Sequence, residues 1–223
     1  MAGQLALIGG GEFSEGCSFD AALLEASGAS EVLVLPTGAA YEHPHRLVEQ
    51  AVGWFDRLGV VARGLDVLAR PDALSAEHAE VVAASRFTYL VGGSPMHLRS
   101  VLKDSPVWDA LVAAWQGGGT LAGSSAGAQV LCDPMVDPRG GAFTLGLGLL
   151  QGVAVIPAHD TWSEDAAHRT LKMSPAALVL AGVDSRTALI REPDGSWRAE
   201  GAGSVAVFLG GRPADLSALP TSF

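Results

Sequence analysis

Four short apolar runs, each stopped by glycine, constrain this chain more than any other feature: LALIGGG at 5–11, EVLVLPTG at 31–38, FTYLVGGS at 87–94 and GTLAGSSAG at 119–127. Their apolar residues are continuous rather than alternating, the pattern of strands covered on both faces of a parallel sheet. Helical periodicity lies between them. Residues 45–58 place Leu47, Ala51, Trp54, Phe55 and Leu58 on one face, with Gly59 at the C′ position. Residues 106–116 repeat the device, with Pro106 in the first turn and Gly117 to Gly119 beyond the end. The alternation predicts a doubly wound α/β fold: a mostly parallel sheet, helices on both faces, and ligands at the carboxyl ends of the strands. At 187–211, TALIREPDGSWRAEGAGSVAVFLGG predicts a hairpin around Asp194-Gly195 and one further strand, hence an antiparallel C-terminal edge. No repeat, linker or low-complexity tract interrupts the chain, so a single α/β domain over 1–223 is expected.

Charge and cysteine content narrow the function classes. The formal net charge is −10 and no basic cluster is denser than Arg63 and Arg70, so a nucleic-acid partner is not expected. Cys17 and Cys132 are the only cysteines, which suggests neither a disulfide framework nor a cysteine-based zinc site, and a reducing cytoplasm is the expected location. MAGQLALIGGG lacks a basic leader region and no run reaches 18 apolar residues, so neither a signal peptide nor a membrane span is expected.

The fourth run ends in Gly123-Ser124-Ser125-Ala126-Gly127, which fits G-x-S-x-G with Ser125 central, between a predicted strand and the helical AGAQVLC. That is the setting of a nucleophile elbow, in which a tight turn lifts the serine hydroxyl clear of the sheet. Ser124 does not fit, because its flanks two residues away are Ala122 and Ala126. The competing interpretation is a glycine-rich turn with a serine cap. A serine nucleophile needs a base, and six histidines are available. His43 and His45 read as surface residues without a third metal ligand, His78 as a solvated helix residue, and His97 as a first-turn residue. His159 ends the apolar run GVAVIPAHD, at the carboxyl end of a predicted strand, and is the candidate base. The order, histidine 34 residues after serine, disfavours a lipase-like hydrolase.

These segments resemble the peptidase E and cyanophycinase family of serine peptidases, which has the class I glutamine amidotransferase-like α/β fold. The resemblance runs through LIGGGE, YLVGGSPMHL, GSSAGA, GLGLLQGVAVIPAHD, GVDSRTALI and GAGSVAVF, nearly the whole chain, and residues 123–128 match the family's G-x-S-A-G-A elbow completely. It implies Ser125 as nucleophile, His159 as general base, and the backbone N–H groups of Gly93 and Ala126 as the oxyanion hole. For Gly93 there is independent support: Ser94-Pro95 reads as N-cap and first residue of a helix, so unpaired amides point toward the carboxyl edge of the sheet.

Three departures from the family pattern bear on function. Where the family reads D-E-x-T-A, with the glutamate orienting the histidine, this chain has Asp184-Ser185-Arg186-Thr187-Ala188. The orienter is then Asp184, Ser185 or Asp160. After the histidine, Asp160, Glu164 and Asp165 stand where basic residues are expected, and Arg169 is the one cation that matches a substrate-binding role. Ser94 replaces the usual asparagine or aspartate after the GG corner and is a second candidate for holding substrate.

The function expected is that of a serine peptidase hydrolysing an amide bond in small peptides through an acyl-enzyme, aspartyl dipeptidase-like or cyanophycinase-like with altered specificity. No metal or other cofactor is required, the partner is a small peptide, and self-association stays open. The alternative is a non-catalytic binding homologue that lost the triad acid. A glutamine amidotransferase is the weaker third reading, because its elbow carries cysteine and Cys132 lies seven residues beyond Ser125.

Overall fold

The computed structural model describes residues 1–222 apart from the side chains of 166 and 167; the one-domain expectation over 1–223 therefore includes one residue, 223, outside the described residues. Five strands run parallel in a seven-stranded sheet: β1 (Leu5–Ile8), β2 (Glu31–Leu35), β3 (Val61–Gly64), β4 (Phe87–Leu90) and β5 (Thr120–Ser124). A second sheet begins with β6 (Val153–Pro157) and β7 (Val179–Val183), which are parallel to each other. β8 (Thr187–Arg191) and β9 (Trp197–Gly201) return to the first sheet as an antiparallel edge, giving the order β9-β8-β1-β5-β4-β2-β3. The hairpin at Asp194-Gly195 is thus present. The next strand, β10 (Val205–Leu209), instead pairs antiparallel with β7 and carries β11 (Arg212–Ala214) in the second sheet. It was expected on the main sheet, and the chain's double crossing between sheets leaves no trace in a five-residue apolar run.

The continuous apolar runs are explained by coverage on both faces. In β1, Leu5 and Leu7 join one core cluster while Ala6 and Ile8 join the other, and β2 divides Leu33 and Leu35 from Val32 and Val34 in the same way. Successive side chains point to opposite faces, so every buried position of these two strands is apolar. One face is covered by α1 (Phe19–Ser27) and α2 (Pro44–Arg57). Ala51 and Phe55 of α2 are buried there, with Leu47 and Trp54 packed at the margin. Full burial of such a side chain contributes roughly 1.5–3 kcal/mol.

The opposite face is covered by α3 (Ala76–Ala83), α4 (Pro95–Leu102), α5 (Pro106–Gln116) and α6 (Ala126–Leu131). Ser105 caps α5 by accepting from Trp108 N–H at 3.2 Å, with Pro106 in the first turn as its sequence indicates. Val153 and Val155 of β6, and Val179 and Ala181 of β7, enter this same cluster. The second sheet therefore packs against the helix layer that follows the elbow. Its other face gathers Ala154, Ile156, Leu178 and Leu180 with Trp162, and with Leu171 of α7 (Glu164–Met173). Among the described residues no helix is long and apolar enough to cross a membrane.

Candidate active site

β5 ends at Ser124 and α6 begins at Ala126, so Ser125 alone turns the chain from strand to helix. Its backbone sits at φ 52° and ψ −109°, a region that costs a non-glycine residue roughly 1–3 kcal/mol and persists only where the surroundings impose it. Two hydrogen bonds impose it here. Ser125 N–H donates to Ile8 O at 2.9 Å, and Ser125 O accepts from Gln129 N–H at 3.0 Å. The small neighbours are a steric requirement: a Cβ on Gly127 would stand 2.3 Å from Leu90 O, and one on Gly123 would stand 2.7 Å from the Gly127 backbone. Close approach of β4, β5 and α6 leaves Ser125 at the wall of a cleft of about 460 Å³, which Gly9 to Glu12, Gly93, Ala158 and Ser185 also line.

His159 reaches this edge from the second sheet. It opens a short 3-10 turn after β6, and the preceding Ala158 N–H donates to Gly9 O at 2.7 Å. The consecutive carbonyls of Ile8 and Gly9 thus hold the amides of Ser125 and Ala158. The imidazole lies against Gly182 of β7, where a Cβ would stand 2.5 Å from His159 Cδ2. Its Nδ1 faces Asp184 Oδ1 at 3.6 Å, and the two side chains are 24% and 16% exposed, which limits screening by water. Asp184 Oδ2 is fixed separately by Ser204, whose N–H donates at 2.8 Å and whose hydroxyl donates at 2.7 Å. Among the described residues Ser125 Oγ makes no hydrogen bond to the ring, as is common where catalytic groups tighten only around a substrate.

The turn after β4 supplies a second set of donors. Gly93 has φ 117°, and a Cβ there would stand 2.2 Å from Gly38 O, so only glycine fits. Neither Gly93 N–H nor Ala126 N–H has an acceptor among the described residues. Both are available to an oxygen in the cleft.

The model of the peptidase family S51 matches residues 5–195 of this chain. The chain belongs to peptidase family S51. This S51 chain is 33% identical to a peptidase from an acI-B1 actinobacterium, whose crystal structure superposes with a TM-score of 0.84 over 94% of this chain and 92% of that one. A protein from Listeria monocytogenes EGD-e assigned to peptidase E superposes with a TM-score of 0.70 at 15% identity, over 91% of this chain and 100% of that one, and shares the fold. Cyanophycinase from Trichormus variabilis is 27% identical over 194 residues, which are 81% of this chain and 64% of the relative. Cyanophycinase from Synechococcus elongatus is 28% identical over 168 residues, 69% of this chain and 51% of the relative. The S51 chain thus spans less than two thirds of the length of the cyanophycinases it matches.

The structure gathers Ser125, His159, Asp184, Gly93 and Ala126 around one edge, and gives three other candidates different partners or places. Ser185 N–H and Oγ both donate to Asp160 Oδ1, at 2.8 and 3.0 Å, so its hydroxyl serves Asp160 rather than the imidazole. These bonds, the backbone one first, hold the Asp160 carboxyl below its ordinary range. Ser94 accepts from His97 N–H at 3.3 Å as the N-cap of α4, a role in the helix rather than in the cleft. Arg169 lines a different cleft with Arg139 and Trp162. Among the described residues the arginine that lines the Ser125 cleft is Arg46, beside His43 and Glu42 at the start of α2, and Glu12 lies in the same wall. Sequence reasoning missed both. Arg46 was hidden among exposed helix residues, whereas Glu12 follows directly on the GGG that ends β1 and had a readable position.

Proposed function

We propose that this chain is a serine peptidase acting on small peptides through an acyl-enzyme. The observation that carries the reading is a strained serine and a carboxylate-backed histidine whose turns are both tied to the adjacent Ile8 and Gly9 carbonyls. Ser125 Oγ attacks the scissile carbonyl while its proton passes to Nε2 of His159. Asp184 faces Nδ1 and stabilises the imidazolium. The new oxyanion takes hydrogen bonds from Gly93 N–H and Ala126 N–H. Collapse breaks the C–N bond, the amine leaves with the proton from His159, and water activated by the same imidazole releases the acid and restores the Ser125 hydroxyl.

The lining of the cleft supports a substrate class. Arg46 is its cation and suits a carboxylate on the substrate, as in a peptide with N-terminal aspartate or a β-aspartyl link. The resemblance to cyanophycinases points the same way. The reading as a binding protein was motivated by Ser185 at the glutamate position; in its place the Asp184 carboxylate stands beside the ring.

The test is hydrolysis of a panel of α- and β-aspartyl dipeptides and control dipeptides by wild type and Ser125→Ala, with product identification. Cleavage by wild type and a loss of at least a hundredfold in the variant is the expected result. A wild type that cleaves no peptide and resists an arylsulfonyl fluoride would favour the binding reading.

A further inference from the structure

Glu12 is half-buried at the foot of the cleft, and both of its oxygens are engaged by the turns that flank Ser125. Oε2 accepts from Ser124 Oγ at 2.7 Å, and Oε1 accepts from Gly92 N–H at 3.3 Å. Ser124 is the fully buried last residue of β5, immediately before the elbow, and Gly92 immediately precedes the Gly93 corner. The β4–β5 ladder pairs Leu90 with Gly123 and ends there; beyond it, no other side-chain hydrogen bond among the described residues links the two turns. Gly92 also sits close to the elbow itself, since a Cβ there would stand 3.4 Å from Ser125 Cβ.

We infer that Glu12 is a positioning residue whose carboxylate clamps the Ser125 elbow to the Gly92-Gly93 corner and so sets the distance between the two halves of the oxyanion hole. The inference rests on Ser125 being the nucleophile. The two amides that meet the oxyanion come from different turns, one after β4 and one after β5, and a donor pair is effective only if both reach the same oxygen. A misplacement of about 1 Å costs on the order of a hundredfold in rate, so a residue that acts through the two turns still governs turnover. The charge itself is not what the clamp needs. Glutamine at position 12 keeps a carbonyl oxygen for Gly92 N–H and offers an amide N–H to the Ser124 hydroxyl, which accepts as readily as it donates.

The probe is an alkyl fluorophosphonate, whose phosphoryl oxygen occupies an oxyanion hole. Ser125 Oγ bonds to phosphorus, fluoride leaves, and the hydroxyl proton passes to His159. Labelling rates are followed by intact mass for wild type, Glu12→Ala, Glu12→Gln, Ser124→Ala and Ser125→Ala, each checked by circular dichroism. Expected are a fall of roughly 10- to 100-fold for Glu12→Ala, a rate within about threefold of wild type for Glu12→Gln, and a fall of several-fold for Ser124→Ala at unchanged folding. Glu12→Ala labelling at the wild-type rate, or Glu12→Gln as slow as Glu12→Ala, overturns the clamp. Should Glu12→Ala fail to fold, an unaltered rate in Ser124→Ala overturns it instead. Labelling of Ser125→Ala at the wild-type rate would remove the nucleophile assignment and the clamp with it, whereas an unlabelled Ser125→Ala beside a fully reactive Glu12→Ala removes the clamp alone.

Discussion

His159 Nδ1 and Asp184 Oδ1 lie 3.6 Å apart, while Ser204 holds the other Asp184 oxygen with two hydrogen bonds. The acid facing the imidazole is therefore locked on one side and free on the other. Asp184→Asn keeps an acceptor for Ser204 but removes the charge that stabilises an imidazolium. It should lower kcat by about 10²- to 10⁴-fold, the range seen when an orienting aspartate is neutralised. Ser185→Ala, which loses a bond to Asp160 only, should stay within about threefold of wild type. Steady-state rates on one good dipeptide check both; equal losses in the two variants would reassign the orienter.

Gly182 is the floor on which the His159 ring rests. With a Cβ at 2.5 Å from Cδ2, Gly182→Ala displaces a side chain rather than backbone. The variant should fold, since the ring can swing toward solvent, yet lose about a hundredfold or more in kcat. A crystal structure of the variant with an unmoved imidazole, or a rate near wild type, would contradict this.

The glycines of the elbow are predicted to be unequal to glycines elsewhere. Gly127→Ala forces a methyl to 2.3 Å from the Leu90 carbonyl, a backbone atom that cannot step aside, and should destabilise by about 3 kcal/mol or more. Gly53, on the exposed side of α2, has nothing within 4 Å of a built Cβ, and Gly53→Ala should stabilise by about 0.5–1 kcal/mol. Urea denaturation of the two variants beside wild type measures the contrast.

Asp20 gives a pH prediction for stability. Burial pushes its carboxyl up to about 8, with the Trp54 indole N–H drawing it down and Glu12 adding to the rise. Trp54 Nε1 donates to Oδ2 at 2.9 Å, whereas Oδ1 is buried and lies outside good hydrogen-bonding geometry with the Tyr89 hydroxyl. Between the ordinary aspartate value of about 4 and about 8 the native state holds a proton that the unfolded chain has released. The contribution of this group to stability is thus full below about pH 4 and falls as pH rises toward 8. Asp20→Asn should flatten the decline in Tm between pH 5 and pH 8; a slope identical to wild type would show that the carboxyl ionises normally.

The fold was legible where one strand type recurs. Every parallel strand of the main sheet except β3 was announced by a glycine-bounded apolar run, because both of its faces are covered. β3 was not, since Val61 and Arg63 are open to solvent on an edge strand and no continuous run forms. Ser125 was legible because an elbow needs glycines at fixed positions on both sides. The third triad candidate was not, because Asp184 and Ser185 are adjacent in sequence, and only the turn decides which of them meets the imidazole. Arg46 was invisible for a related reason: its helix is amphipathic for packing, and nothing in that pattern tells which exposed residue overlooks a cleft.

Ser125 belongs to the main sheet, whereas His159 and Asp184 sit at the ends of β6 and β7 in the second. The separation between the proposed nucleophile and base is therefore a dimension of a joint rather than of either sheet alone. A shift of one sheet on the other by a fraction of a bond length would make or break the proton path while leaving both sheets intact. The Ala158–Gly9 hydrogen bond spans that joint, so the distance between Ser125 and His159 is set where the two sheets meet. Rate and stability can accordingly drift apart in variants of this protein, with substitutions along the seam altering turnover long before they alter melting.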